Sequence, residues 1–169
     1  MRKSLSDGGE LLNKEIKEYI NIEIKAAAAF NFFISGMITA LIYHKADTVP
    51  TDTVSIAIDL TITCLLTFII SAFFNRASLR RTKTAGILDA PNRVIGYLSR
   101  LFRRPVQFGA LLGFSTAIIL FGLVAPVFAL LGLKELPFSL YITFKTVFCA
   151  LLGGGVTFIE LYSGMCRAE

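Results

Sequence analysis

The chain has 169 residues, 54% of them hydrophobic, with 15 Phe, no Trp and a formal net charge of +5. A soluble domain of this length shows short apolar runs between charged faces, whereas here the apolar runs are long enough to cross a bilayer, which takes about 20 helical residues. Spans are predicted at roughly 26–44, 53–74, 106–132 and 138–161. They leave no room for a separate soluble domain, so the expectation is one integral membrane domain over 1–169, all-α, with four transmembrane helices and amphipathic interfacial helices.

The N-terminus has a basic start but no apolar stretch directly after it, so targeting is expected from the first span rather than from a cleaved signal. Residues 9–25 place Leu12, Ile16, Tyr19 and Ile20 at helical spacing, with Glu10 and Lys14 as an i,i+4 pair and Ser6 or Asp7 as a cap. This helix either lies at the interface, continues into the first span, or pairs with a partner protein. In span 1, Gly36 and Ala40 stand four apart, a spacing that lets helix backbones approach closely. Asn31 and Thr39 are able to bond across helices, and His44, the lone histidine, falls at the outer boundary. Span 2 contains Asp59 among hydroxyl residues. Hydroxyls in a span often bond their own backbone, but a carboxylate in hydrocarbon costs several kcal/mol, roughly, on any scale.

The segment 75–104 carries 8 of the 17 Lys and Arg residues, while the connections at 45–52 and 133–137 carry only Lys45 and Lys134. Basic loops stay on the cytoplasmic side. Two hairpins, about 26–74 and 106–161, are therefore expected around a cytoplasmic loop 75–105, with both termini in the cytoplasm and the protein in the cytoplasmic (inner) membrane. Within that loop, 91–104 sets Val94, Ile95, Leu98, Leu101 and Phe102 on one arc and Arg93, Arg100, Arg103 and Arg104 on the opposite one, with Pro91 in the first turn. The pattern is that of an interfacial helix on anionic lipid headgroups. No nucleic-acid motif accompanies the basic surplus, so nucleic acid is not expected as a partner.

Span 3 carries the GxxxG pair Gly109 and Gly113, and Pro126, which is expected to bend the helix near residue 122. Span 4 carries Lys145 and the run Gly153, Gly154 and Gly155, read either as close packing or as a local helix break. Asp59 and Lys145 start six and seven residues below the outer ends of their spans, so both lie about 9–11 Å deep. They are predicted to form an intramembrane charge pair. The competing reading has Lys145 reaching the interface and Asp59 protonated on Thr63. Glu160 is expected at the inner boundary, facing the arginines of the central loop. Cys64, Cys149 and Cys166 show no metal-ligand or redox spacing.

The two hairpins resemble each other: "FISGMITALIY" can be laid on "FSTAIILFGLV", and "SIAIDLTITCLL" on "SLYITFKTVFCALL". On hydropathy and small-residue placement the four spans resemble small uncharacterised bacterial membrane families built on a two-helix hairpin that occurs once or in duplicate. That resemblance carries no catalytic motif and assigns no functional residue. Small multidrug exporters also have four spans, but they place a Glu in the first span, where this chain has none. No catalytic residues, metal site or cofactor can be assembled, so a non-enzyme is expected. Two functions fit: an oligomeric permease or channel for a small solute or ion, or an accessory or assembly subunit of a larger membrane complex. The expected partners are the anionic bilayer and either further copies of the chain or another membrane protein.

Overall fold

The computed structural model describes residues 3–132 and 134–167, with side chains from Lys14 onwards apart from Ala129. The order of elements is α1 (Lys3–Tyr43), β1 (Thr48–Pro50), α2 (Thr53–Thr82), α3 (Arg93–Phe102), α4 (Pro105–Leu130), β2 (Glu135–Pro137) and α5 (Phe138–Met165). Four of the five helices are long and apolar enough to cross a membrane. The fold is all-α in its spanning part.

The N-terminal amphipathic stretch runs straight into the first span as one helix of 41 residues. Its backbone passes Ser6 and Asp7 without a break, so neither caps it; the pairing of Glu10 with Lys14 and the placement of Leu12 lie outside the described side chains. From Ile16 onwards the predicted face is turned inward, with Ile16 and Ile20 buried. Asp52 caps α2, accepting from the backbone N–H of Val54 at 3.0 Å and of Ser55 at 3.2 Å. The same helix continues eight residues beyond residue 74, so Arg76, Arg80 and Arg81 ride on helix rather than loop. It stops where Lys83 turns left-handed at φ 58°. Pro91 lies outside α3, which starts at Arg93 on the cap of Asn92, whose side chain accepts from the Ile95 N–H. Helix α4 runs on through Pro126 to Leu130.

The four long helices form a row in the order α1, α5, α2, α4. Each hairpin is thus split: α1 packs on α5 of the other half, and α4 packs on α2. The central pair α2 and α5 joins the halves. The short strands β1 and β2 pair antiparallel with Val49 opposite Leu136, which ties the two hairpin tips together at one end of the molecule. The residues paired across the centre keep a nearly constant separation: Val49 and Leu136 are 87 apart, Lys145 and Asp59 86 apart, Glu160 and Asn75 85 apart. A near-constant separation of this kind means that α2 and α5 run side by side in the same direction and in register.

At the opposite end, Ile16, Ile20, Ala72, Leu79, Phe102, Phe108, Leu161 and Met165 form the main apolar core. Helix α3 docks there through Phe102, and Val94 and Tyr97 stay exposed. The predicted apolar arc is therefore divided between protein and surroundings. The segment after α2 is pinned to the end of α5 by a bridge between Leu88 and Cys166. Cys166 is consequently buried.

Candidate functional site

Three columns of side chains at i,i+4 spacing converge between α1, α2 and α5. On α1 they are Asn31, Ser35, Thr39 and Tyr43; on α2, Asp59, Thr63, Thr67, Ser71 and Asn75; on α5, Tyr141, Lys145 and Cys149, with Thr157 two turns further. Residues four apart lie on one helix face, so each column is a polar stripe. Together they line a groove of about 620 Å³. The α2 column alone extends 16 residues, about 24 Å, most of the roughly 30 Å of hydrocarbon in a bilayer. The groove faces sideways: Phe30, Ile38, Ile62, Leu66, Ile70 and Phe74 line it and are exposed. The end near β1 and β2 is bounded by Tyr43 and Tyr141, edge to face at 5.6 Å. The opposite end is bounded by a chain of hydrogen bonds, Tyr19 to Ser78 at 2.7 Å and Ser78 to Glu23 at 3.0 Å.

Lys145 and Asp59 meet in the third of this groove nearest β1 and β2. The Lys145 ammonium donates to Asp59 Oδ2 and to Thr63 Oγ1, the latter at 2.7 Å. Lys145 therefore does not reach for the interface. The two partners differ in setting: the Lys145 side chain is 9% exposed and that of Asp59 39%, because the carboxylate faces the groove. Opposite charges in contact make each other tolerable in a low dielectric.

Glu160 is placed differently from expectation. It is fully buried, and the hydrogen bond it makes is to Asn75 on α2 rather than to an arginine of the central segment. Its Oε2 accepts from Asn75 Nδ2 at 2.6 Å, and its Oε1 has no partner. The rotation of Glu160 about α5 was not legible from the sequence, and rotation decides whether a residue near a span end faces headgroups or core. Asn31 bonds its own helix at the Ala27 carbonyl, 2.8 Å away, rather than a neighbouring helix.

The run Gly153, Gly154 and Gly155 lies within unbroken helix, so there is no local break to expose backbone. A Cβ at Gly153 would strike the Asn31 side chain, one at Gly154 would meet ordinary contacts at 3.4 Å or more, and one at Gly155 would meet nothing within 4 Å. Gly155→Ala is expected to stabilise the protein by about 0.5–1 kcal/mol through helix propensity. Gly153→Ala should cost stability instead, because Asn31 must leave its position. Thermal unfolding in detergent reads both signs, and equal effects at the two positions would contradict this division of roles.

Of the basic residues, Arg93, Arg100, Arg103 and Arg104 are exposed at the end where the central segment lies. The Arg103 carbonyl accepts from Arg76, which ties α3 to α2. Among the described residues no cluster of His, Cys, Asp and Glu is arranged to hold a metal ion.

The fold defines a multi-pass α-helical membrane protein. Comparison of the chain with protein-family models, with curated proteins and with solved structures finds no match.

Proposed function

We propose that this protein is an oligomeric permease for a small polar solute or ion, with the groove between α1 and α2 as its path. The observation that carries the reading is the polar column itself. Hydroxyl, amide and charged groups run most of the way across the hydrocarbon on a face that a single copy leaves open to lipid. Polar groups turned toward acyl chains cost free energy unless they find a partner. A second copy set against the open side would turn two such grooves into a shared polar lumen. Intramembrane ionisable groups are functional candidates by default. The reading involves no catalytic chemistry.

The test is flux. Purified protein in liposomes should pass one of a panel of small neutral polar solutes or monovalent cations. Thr67→Phe, at mid-column, should abolish that flux without unfolding the protein. Flux that survives Thr67→Phe would place the path elsewhere.

An accessory subunit is the second reading, favoured by the sideways opening, which suits a transmembrane helix of another protein that carries polar residues. Cysteines at Phe30 and Leu66, on the exposed rim, separate the two readings by cross-linking in native membranes. Copy-to-copy products support the permease, and products solely with another protein support the subunit.

The placement that goes with either reading is the cytoplasmic membrane, with both termini and residues 83–104 in the cytoplasm. The basic residues support it. So does the pairing of β1 with β2, which requires the two short connections to share one side. Arg93, Arg100, Arg103 and Arg104, together with exposed Val94 and Tyr97, would rest α3 on anionic headgroups. With the native cysteines removed, a cysteine at Asp47 should react with an impermeant thiol reagent in intact cells, and one at Asp89 should not. The reverse pattern would invert the topology.

A further inference from the structure

Two carboxyl groups between α2 and α5 are treated in opposite ways. Asp59 is held by an ammonium and reaches the groove. Glu160 is fully buried and held by one neutral amide. Among the described residues the group bonded to it is the Asn75 amide and not a cation. On α1 the facing charge is Glu23, itself a carboxylate, which accepts from Ser78. On α2, Arg76 donates to the Arg103 carbonyl. On α3, Arg93 and Arg100 are exposed at the surface. On α5 itself, Lys145 lies about four turns away and is bound to Asp59 and Thr63.

Two buried oxygens at this place have no partner, Glu160 Oε1 and Ser163 Oγ. They sit three apart on α5, on one helix face. A carboxylate with one neutral hydrogen bond in a dry core is poorly compensated. A proton on Oε1 removes the charge and turns the unpartnered oxygen into a donor, with the other unpartnered oxygen, that of Ser163, three residues along α5. The connection to the groove is Asn75, whose side chain lines the groove and donates to Glu160.

We propose that Glu160 is a proton-binding site, with Asn75 as the positioning residue that conveys its protonation state to the groove. Proton binding is independent of the permease reading; the link through Asn75 rests on it. When the carboxyl releases its proton, the Asn75 N–H makes a charge-assisted bond and is held. When the proton returns, that bond weakens and the amide is released toward the groove. The exchange is a simple acid dissociation: one O–H bond breaks, the pair of electrons stays on Glu160, and the proton leaves to water.

Infrared spectroscopy of the full chain in lipid nanodiscs tests this. Glutamate carboxyl carbons are labelled with carbon-13, so that a protonated glutamic acid is recognised by its shifted carbonyl band. At neutral pH, where surface carboxyls are ionised, wild-type protein should show one label-sensitive band of a protonated acid. Glu160→Gln should lose it, Asn75→Ala should shift it, and Asp59→Asn should leave it in place. Absence of the band in wild-type protein would overturn the proposal without any variant having to fold. A band that responds to sodium instead of protons would overturn it in favour of a cation site. Flux in liposomes gives the second arm. A band present with flux unchanged by Glu160→Gln would overturn the link through Asn75 and leave the permease reading standing. A band present with no flux for any solute would remove the permease reading and leave the proton site standing.

Discussion

Asp59→Asn should destabilise the protein more than Lys145→Met, although the two changes break the same contact. Removing one member of a buried ion pair costs about 3–5 kcal/mol, because the other charge is left uncompensated. That figure applies to the loss of Asp59. It strands an ammonium that is 9% exposed, with only neutral acceptors, the Thr63 hydroxyl and the new amide oxygen, in place of its counter-charge. Losing Lys145 strands a carboxylate that is 39% exposed toward the groove. If water fills the groove, solvation offsets part of the loss, and the cost falls to about 1–2 kcal/mol. The double mutant should cost much less than the sum of the single changes, and the coupling from the cycle isolates the pair. Thermal stability in detergent and in nanodiscs gives the values. Strict additivity would mean that the two charges do not meet. Equal single-mutant costs in nanodiscs would mean that the groove is dry, and a dry groove is hard to reconcile with a polar path.

The difference between the partners is a matter of rotation about the helix axes, and rotation is where sequence reasoning ran short. The spans were legible because hydropathy sums over 20 or more residues. Matching depths for Asp59 and Lys145 were legible because rise per residue is fixed. Which neighbour each helix face meets was not. The hydroxyls at 63, 67 and 71 follow Asp59 at strict i,i+4 intervals, and that spacing alone marks a stripe. It carried little weight because hydroxyls in spans so often serve their own backbone. The stripe on α1 was hidden by Ala27 and by its setting among Phe30, Phe32 and Phe33. The strands β1 and β2 are three residues each, too short for alternation to register, and each ends on a proline. Glu160 was expected to face the central arginines, and instead it faces the core. The segment 75–82 was read as loop because its arginines end the apolar run, yet its backbone stays helical up to the Lys83 turn. The halves showed their likeness in sequence, but the crossed packing of α1 on α5 and α4 on α2 is a tertiary choice that hydropathy does not encode.

The crossed packing makes Gly109 the most sensitive small residue on α4. A Cβ there would stand 2.7 Å from the Ile69 Cα and 2.8 Å from the Ile69 backbone nitrogen. Those atoms belong to the main chain of α2, so no side-chain rotation relieves the clash and the two helices must separate. Overpacking of this kind costs about 1–3 kcal/mol, and Gly109→Ala should fall in that range despite the helix propensity it gains. Gly109→Leu should cost more, because it has to displace the whole contact. At Gly113 the Leu65 Cα is 3.0 Å away and the Cys64 carbonyl oxygen 3.1 Å, so alanine there should cost less than at Gly109. At Gly122 nothing lies within 4 Å, and alanine should be neutral or stabilising. The order Gly109, Gly113, Gly122 is the prediction, read from thermal midpoints of the three alanine variants in one detergent. Helix α4 takes no part in lining the groove. Its separation from α2 should therefore lower stability before it alters flux. A Gly109→Ala variant that kept its thermal midpoint would show that α4 is not held against α2 through this glycine, and the crossed arrangement of the two hairpins would lose one of its two supports.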